Sequence, residues 1–200
     1  KSKGAKVHHQ SKWQGFGDAK RQAVSKAEND WILSIDADEI VSNDLADKIK
    51  SILEEPKYSL YRIKRKSFYL GKLINHCGWQ NDYPKRLFDR RVANFNDKTV
   101  HESVVGNCEI GTIDEPIFHN TYPTISSHIQ KIDFYSELAA NSSAKKNVSF
   151  LRIFIEASLK FIKMYLFKLG FLDGKAGFAL CSMSSFGVAI KYLKIKMKSN

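Results

Sequence analysis

Three carboxylates stand close together in the run Asp36-Ala37-Asp38-Glu39, directly after the short and mostly apolar run Trp31–Ile35. Side chains two residues apart on an extended backbone point to the same side, so that Asp36 and Asp38 can reach one cation. Mg²⁺ and Mn²⁺ accept such carboxylates together with phosphate oxygens and water. A cation held in this way stabilises negative charge on a departing phosphate group. The spacing therefore predicts a divalent-metal site that holds a diphosphate.

A structural alternative exists for this acidic run, because aspartate is common in turns and at helix N-termini. Two considerations favour a ligand site. Three neighbouring carboxylates repel one another unless a cation joins them. Open α/β sheets also bind their ligands beyond the carboxyl ends of the strands, which is where Asp36 and Asp38 are expected.

The residues around the acidic run alternate between helix and strand patterns. The apolar spacing of residues 18–27 predicts a helix with Asp18 as its N-cap, and residues 31–35 predict a parallel strand buried on both faces. Ser42 begins a group of N-cap candidates for a second helix, which Pro56 ends. Short strands and one more helix are predicted at 58–65, 67–74, 86–89, 100–105 and 124–141. This succession predicts an α/β domain with a mixed sheet flanked by helices.

The last part of the chain has a different pattern. Residues 150–171 are rich in Phe, Leu and Ile and carry basic residues along one helical face, which predicts a basic amphipathic helix. Residues 176–190 carry no charge, and lysines follow them. Because that uncharged stretch is shorter than the ~20 residues that span a bilayer, we expect this tail to lie on an anionic membrane. The alternative is a pair of helices that packs on the catalytic domain or on a second subunit.

The composition limits the kinds of partner. The chain has 32 Lys and Arg against 21 Asp and Glu, a formal charge of +11, which favours anionic partners. No nucleic-acid-binding motif accompanies the lysines, so we expect no nucleic-acid partner. Three widely separated cysteines predict neither a disulfide framework nor a zinc site.

Four segments of the chain resemble one enzyme family. They are WQGFGDAKRQAVSKAENDWILSIDADE at 13–39, NDYPKRLFDRR at 81–91, VHES at 100–103 and GFLDGKAGF at 170–178. The sequence resembles the inverting family 2 glycosyltransferases of the GT-A fold, and more narrowly the bacterial lipopolysaccharide core β-glucosyltransferases. The first segment is shared widely in family 2, whereas the joint presence of the others narrows the resemblance.

The resemblance implies roles for particular residues. Asp36 and Asp38 match the metal and diphosphate motif, with Asp38 as the more direct ligand of Mg²⁺ or Mn²⁺. Glu102 matches the catalytic base, which takes the proton of the acceptor hydroxyl during inversion. His101 is expected to orient that group or to bind the acceptor. The alternative for Glu102 is a partly buried glutamate that pairs with Arg86 or Arg90.

Further donor contacts are expected from basic and aromatic residues. Arg86, Arg90 and Arg91 form a basic run that could hold diphosphate, with a solvated surface as the alternative, and Arg86 is the preferred candidate because it lies within a matching motif. Lys20, in the glycine-led helix, is a second candidate for the donor. Trp79 is a candidate for stacking on a sugar, with core packing as its alternative.

The resemblance also implies the whole enzyme. We expect a GT-A, Rossmann-like catalytic domain at residues 1–145, whose N-terminal strand or strands precede Lys1, and a helical, basic, membrane-associating tail at 146–200. The expected reaction moves a hexose, glucose from UDP-glucose, onto a lipid-linked inner-core oligosaccharide at the cytoplasmic face of the cell membrane. The alternative is a degenerate relative without catalysis that acts as a membrane or assembly partner.

Overall fold

The computed structural model describes residues 4–9, 14–97, 102–143 and 148–198. By their internal contacts the residues form two compact units, one of Lys1–Arg65 with Tyr83–Ile117 and one of Lys66–Asp82 with Phe118–Asn200. The boundary between 145 and 146 that the sequence suggests stays a prediction.

Strands and helices alternate through the first half of the chain. In chain order the elements are α1 (Phe16–Ser25), β1 (Trp31–Leu33), β2 (Glu39–Val41), α2 (Asn43–Glu54), β3 (Leu60–Tyr69), β4 (Lys72–Leu73), β5 (Lys85–Asp89), β6 (Ala93–Phe95), β7 (Val104–Gly106) and β8 (Ile110–Tyr122). The second half contains α3 (Ile125–Asn141), α4 (Phe150–Ile162), a π-helical turn (Lys163–Phe167), a 3₁₀ turn (Gly170–Asp173) and α5 (Gly174–Met197).

A six-stranded sheet forms the centre of the first unit, and its strand order is β1-β5-β3-β8-β2, with β4 paired to β3. The last residues of β3 and β8, together with β4, belong to the second unit. A separate two-stranded sheet consists of β6 and β7. The mixed sheet with flanking helices confirms the predicted α/β, GT-A-like fold class.

Apolar side chains cover both faces of the sheet in the first unit. On one face Tyr61 and Ile63 of β3 pack with Leu45 and Ile49 of α2. On the other face Leu60 of β3 joins a second cluster that includes residues of α1, β6 and β7. Successive residues of a strand point to opposite faces, so one strand supplies both cores and holds α1 and α2 on opposite sides of the sheet.

Local sequence sets several of these boundaries. Ser42 accepts a hydrogen bond from the backbone N–H of Leu45 at 3.2 Å, which confirms it as the N-cap of α2. The N-cap predicted at Asp18 is wrong, because α1 begins at Phe16. Gly15 has a φ of 109°, which lets the chain enter the helix two residues earlier, and Asp18 lies in the first turn.

The pairing predicted for the strand after α1 is also wrong. β1 covers Trp31–Leu33, is half-buried, and runs antiparallel to β5 with Ile32 opposite Phe88. Its apolar pattern correctly indicates contact with both cores, to which Trp31 and Ile32 contribute on opposite faces. An apolar run does not encode strand direction, and the neighbouring strand comes from a segment more than fifty residues later.

The strands in the middle of the chain differ in number and bounds from those predicted, with six observed from β3 to β8 where four were expected. The two strands expected at 58–65 and 67–74 are one strand, β3, which turns into β4 through Leu70 and Gly71 with φ of 51° and 75°. Such positive angles suit a two-residue hairpin loop. The strand predicted at 100–105 lies partly outside the described residues, and its described part is β7. The sequence analysis missed β8.

The second unit is built mainly from α3, α4 and α5, and both α3 and α4 pack on α5. Its larger core joins Tyr69, Cys77, Met164 and Leu180, and a smaller core includes Ile153. Asp173 ties the 3₁₀ turn to the segment that follows β4. Its carboxylate accepts hydrogen bonds from the backbone N–H groups of Asn75 at 3.1 Å and His76 at 2.9 Å.

α4 has three distinct faces. Ile153 and Met164, in the following turn, point into the cores. Arg152, Lys160 and the neighbouring Lys163 lie on a second face. A third, solvent-exposed face is apolar, and we call it the α4 apolar face; it consists of Leu151, Phe154, Ile155, Leu159, Ile162 and Leu166. The predicted amphipathic helix is therefore present, with its apolar side divided between core and solvent.

Candidate active site

The turn between β1 and β2 is fixed by reciprocal hydrogen bonds. The backbone N–H of Glu39 donates to the carbonyl oxygen of Asp36 at 3.0 Å. The backbone N–H of Asp36 in turn donates to Oε2 of Glu39, also at 3.0 Å. Asp36 and Glu39 are thereby held in one orientation at the end of the strand, and the half-buried Asp38 lies between them.

Glu39 is the buried anchor of this turn. Its side chain is 0% exposed, and its Oε1 accepts from Nη2 of Arg86 at 2.5 Å and from Nη1 of Arg65 at 3.2 Å. With the N–H of Asp36, this carboxylate has three donors. A buried carboxylate so fully paired is structural, and the cations that offset its charge are guanidinium groups.

Arg86 extends from β5 to the same turn. It is 4% exposed, and its Nη2 also donates to Oδ2 of Asp36 at 2.5 Å. Its Nε is buried and has no hydrogen-bond partner among the described residues. A buried donor without an acceptor is costly, so the site retains an unused capacity to bind an anion here.

Lys20, on α1, joins Asp36 to Glu102. Its Nζ lies 3.0 Å from Oδ1 of Asp36 and 2.8 Å from Oε1 of Glu102. The aliphatic chain runs beside Phe95, with Nζ 5.3 Å from the ring centroid. The side chains of Lys20 and Glu102 are 21% and 16% exposed, so the pair remains accessible from solvent.

The charges around Asp36 determine its ionisation. Burial raises the pKa of Asp36, but the charges and hydrogen bonds of Arg86 and Lys20 outweigh burial and lower the pKa to about 2. The carboxylate is therefore anionic throughout the physiological range, with one cation on each oxygen. The group as a whole presents carboxylates able to accept a proton beside cations able to bind an anion.

The predicted site residues fall into three groups. Lys20, Asp36, Arg86 and Glu102 are brought into direct contact, and Asp38 lies on the same turn. His101 lies outside the described residues. Trp79 belongs to the second unit, where it packs half-buried with its ring 6.5 Å from that of Tyr122, which is the core-packing alternative.

The other two arginines of the basic run have structural partners. Nη1 of Arg90 donates to the carbonyl oxygen of Ala27 at 2.6 Å, just beyond α1, where a cation favours the helix C-terminus. Nη2 of Arg91 pairs with Asp89 at 2.6 Å. The pairing of Glu102 with Arg86 or Arg90 that was considered from the sequence is not the one observed, since Glu102 pairs with Lys20.

The sequence analysis missed Arg65 and the structural role of Glu39. Arg65 is one of four basic residues between positions 62 and 66 on β3, and nothing in the spacing distinguishes it from its neighbours. Only the strand order, which places β3 beside β5, brings Arg65 to the same carboxylate as Arg86.

Comparison with known proteins places the chain in an enzyme family. The model of the glycosyl transferase family 2 domain matches residues 1–106, more than half of the chain. The chain is 29% identical over 210 residues to an uncharacterised glycosyltransferase of Rickettsia typhi, a match that covers 98% of this chain and 72% of that protein. It is 30% identical over 198 residues to an uncharacterised glycosyltransferase of Rickettsia felis, covering 92% of this chain and 70% of that protein.

The carboxylates of the turn fit a divalent cation only if phosphate oxygens and water complete its coordination. The described residues contain no group of three or more His, Cys, Asp and Glu side chains that would hold a metal alone. Mg²⁺, however, is commonly held by one or two carboxylates together with substrate phosphates and water. The residues therefore fit a cation held by carboxylates of the Asp36-Ala37-Asp38 motif together with a diphosphate.

Proposed function

The chain belongs to glycosyltransferase family 2, and from that premise we propose that it transfers a hexose from a nucleotide-sugar donor with inversion at the anomeric carbon. The donor is UDP-glucose, and the acceptor is the inner core of a lipopolysaccharide or lipooligosaccharide. The observation that carries the proposal is the contact of Lys20 with both Asp36 and Glu102, beside the buried Arg86.

Glu102 acts as the catalytic base. The hydroxyl oxygen of the acceptor forms a bond to the anomeric carbon, while the bond from that carbon to the diphosphate oxygen breaks. The hydroxyl proton passes to the Glu102 carboxylate, and the nucleoside diphosphate leaves with the bonding electrons. Direct displacement from the opposite side of the sugar gives inversion. His101, which directly precedes Glu102 in the chain, orients this carboxylate or the acceptor.

Arg86 and Lys20 bind the diphosphate of the donor. The unpaired Nε of Arg86 gains an acceptor when a phosphate oxygen arrives, and the accessible ammonium of Lys20 adds a second positive charge. Asp38, assisted by Asp36, would hold Mg²⁺ or Mn²⁺, which would supply Lewis-acid stabilisation of the leaving group.

The α4 apolar face binds the surface of an anionic membrane. Leu151 is 68% exposed, Phe154 is 71% exposed and Leu159 is 56% exposed, so this face is apolar without being covered by other described residues. Arg152, Lys160 and Lys163 border it, which suits an apolar surface inserted among anionic headgroups. The segment Gly170–Met197 that follows is long and apolar enough to cross a membrane, by length and composition alone.

These surfaces together support a peripheral location on the cytoplasmic face of the cell membrane. A lipid-linked, phosphorylated acceptor lies at such a surface, and the formal charge of +11 favours it. The helical residues from 146 to 200 then act as the membrane-associating part and residues 1–145 as the catalytic part.

The experiment that tests this proposal compares purified wild type with Glu102→Gln on nucleotide sugars and lipooligosaccharide. We expect kcat to fall at least about a hundredfold in Glu102→Gln, since general-base catalysis contributes that much or more, while donor KM changes little. Glu109→Gln, an exposed glutamate in the same region, is the matched control and should retain full activity. An unchanged kcat in Glu102→Gln would remove Glu102 from the base role.

A further inference from the structure

Lys20 has an unusual position for a donor-binding residue, because it is already fully engaged without a donor. Its ammonium lies within 3.0 Å of Asp36 Oδ1 and 2.8 Å of Glu102 Oε1. Asp36 belongs to the metal and diphosphate motif, and Glu102 is the proposed base. The Lys20 ammonium therefore pairs with both carboxylates. Their proposed roles in transfer require Asp36 to bind a metal ion and Glu102 to accept a proton.

Lys20 and Arg86 differ in how easily each can leave Asp36. The Arg86 side chain is 5% exposed and is also held by the buried Glu39. The Lys20 side chain is 21% exposed and contacts only groups of the site and Phe95 in the described contacts. A lysine ammonium is a strongly hydrated point charge on a flexible stem, whereas a guanidinium is fixed by its planar geometry. Lys20 is therefore the movable cation and Arg86 the fixed one.

We propose that Lys20 is a placeholder cation, which neutralises Asp36 and Glu102 in the ligand-free protein and is displaced when the donor and its divalent cation bind. The inference rests on the proposed function and deepens it. Displacement moves the ammonium towards the diphosphate and leaves Glu102 without its ion pair, so that its carboxylate is free to take the acceptor proton. The base is thereby released as the divalent cation enters the site with the donor.

The placeholder has a measurable thermodynamic consequence. A divalent cation that binds the ligand-free protein near Asp36 must compete with the ammonium of Lys20. Removal of that ammonium leaves Asp36 and Glu102 with less positive charge nearby, which favours a divalent cation. A neutral residue at position 20 therefore strengthens the binding of Mn²⁺ in the absence of any donor.

The first test measures Mn²⁺ binding to the ligand-free full chain by electron paramagnetic resonance of free Mn²⁺. We expect Lys20→Met to bind Mn²⁺ about fivefold more tightly than wild type, the scale of one partly exposed ion pair. Lys20→Arg keeps the charge and should bind like wild type, and Lys26→Met, which removes an exposed lysine just after α1, should also bind like wild type. The proposal would be overturned if Lys20→Met bound Mn²⁺ no more tightly than wild type. It would also be overturned if Lys20→Arg bound Mn²⁺ as tightly as Lys20→Met.

The second test uses the unmodified protein and so does not depend on the folding of a variant. Lysines are labelled by reductive methylation, and the rates at Lys20 and Lys26 are compared by mass spectrometry with and without saturating Mn²⁺. We expect Mn²⁺ to raise the relative rate at Lys20 several-fold, because the displaced ammonium enters solvent. An unchanged or slower rate at Lys20 contradicts displacement. Both readouts lack a sugar donor, so a failure of sugar transfer alone would overturn the proposed function and leave the placeholder standing.

Discussion

Asp36 carries a cation on each carboxylate oxygen, and this arrangement separates the roles of the three acidic residues in the turn. Glu39 is buried and holds the turn together, while Asp36 links the fixed Arg86 to the movable Lys20. Asp38 is the remaining carboxylate of the motif. At the scale of single residues, stability is therefore expected to depend on Glu39, and the metal requirement on Asp38.

Asp38→Ala tests the metal assignment. We expect this variant to lose transfer by at least about a hundredfold, because the leaving diphosphate loses its Lewis acid, with a near-wild-type melting temperature. The measurement is kcat over a range of Mn²⁺ concentrations. Asp47→Ala, which removes a carboxylate 75% exposed on α2, is the control. Full activity in Asp38→Ala at every Mn²⁺ concentration would exclude Asp38 as the ligand.

Glu39→Gln tests the structural assignment. The amide keeps the shape of the side chain but leaves Arg86 and Arg65 with less negative charge, so we expect the free energy of unfolding to fall by about 3 kcal/mol. Denaturant unfolding measures this free energy. Glu54→Gln, at an exposed residue of α2, should change the free energy of unfolding by less than about 0.5 kcal/mol. A loss in Glu39→Gln no larger than in that control would show that the buried network contributes little to stability.

Whole elements could be predicted where one local rule determined them. The apolar spacing and the cap at Ser42 are local, and α2 follows from them. The capping position of Thr124 likewise sets the start of α3. β8 was missed because Asp114, Glu115 and Pro116 interrupt its alternation, and proline counts against a strand. Its inward residues, Ile113 and Ile117, nevertheless alternate correctly and are buried.

α3 brings a buried histidine into contact with two tyrosines. His128 is 3% exposed, its Nδ1 lies 3.2 Å from the hydroxyl oxygen of Tyr69, and its ring stacks on Tyr122 at 3.9 Å. Burial first, and then the charge of Lys131, lowers the pKa of His128 from 6.5 to about 4. His128 therefore binds a proton less readily in the folded protein than in the unfolded chain.

The sign of the resulting pH dependence follows from the lowered pKa. The contribution of His128 is fully present above pH 6.5 and is lost as the pH falls towards 4. Between pH 7 and pH 5 we expect the free energy of unfolding to fall by about 2 kcal/mol from this group. Denaturant unfolding of wild type and His128→Gln at both pH values measures it, and an equal pH dependence in the two proteins would contradict the assignment.

The α4 apolar face gives a second prediction at the scale of an element. The double variant Leu151→Glu with Leu159→Glu should bind vesicles that contain phosphatidylglycerol at least about tenfold more weakly, since two exposed leucines no longer enter the lipid. The control variant, Val105→Glu with Ile110→Glu, adds the same charge at exposed apolar residues of the first unit. Equal weakening in both variants would assign the effect to charge alone.

At the scale of the whole molecule, the sequence predicted the fold class and family, but it did not predict how the site is neutralised. Asp36, Asp38 and Glu102 were predicted from motifs. The cations that neutralise Asp36, Glu39 and Glu102 come from α1, β3 and β5, which are distant from one another in the chain. Local sequence patterns do not show which distant segments come into contact. The roles of Arg65 and Glu39 were therefore found only from the structure.

The central claim is that this molecule uses a metal-held diphosphate as the leaving group of a sugar transfer. The most direct measurement incubates the full chain with lipooligosaccharide and a panel of UDP-, GDP- and dTDP-sugars, with Mg²⁺, with Mn²⁺ or with a chelator, and follows release of the nucleoside diphosphate. We expect release from UDP-glucose with either metal, with sugar on the acceptor, and none with the chelator. Equal release in the presence of the chelator, or release from none of the donors, would contradict the account.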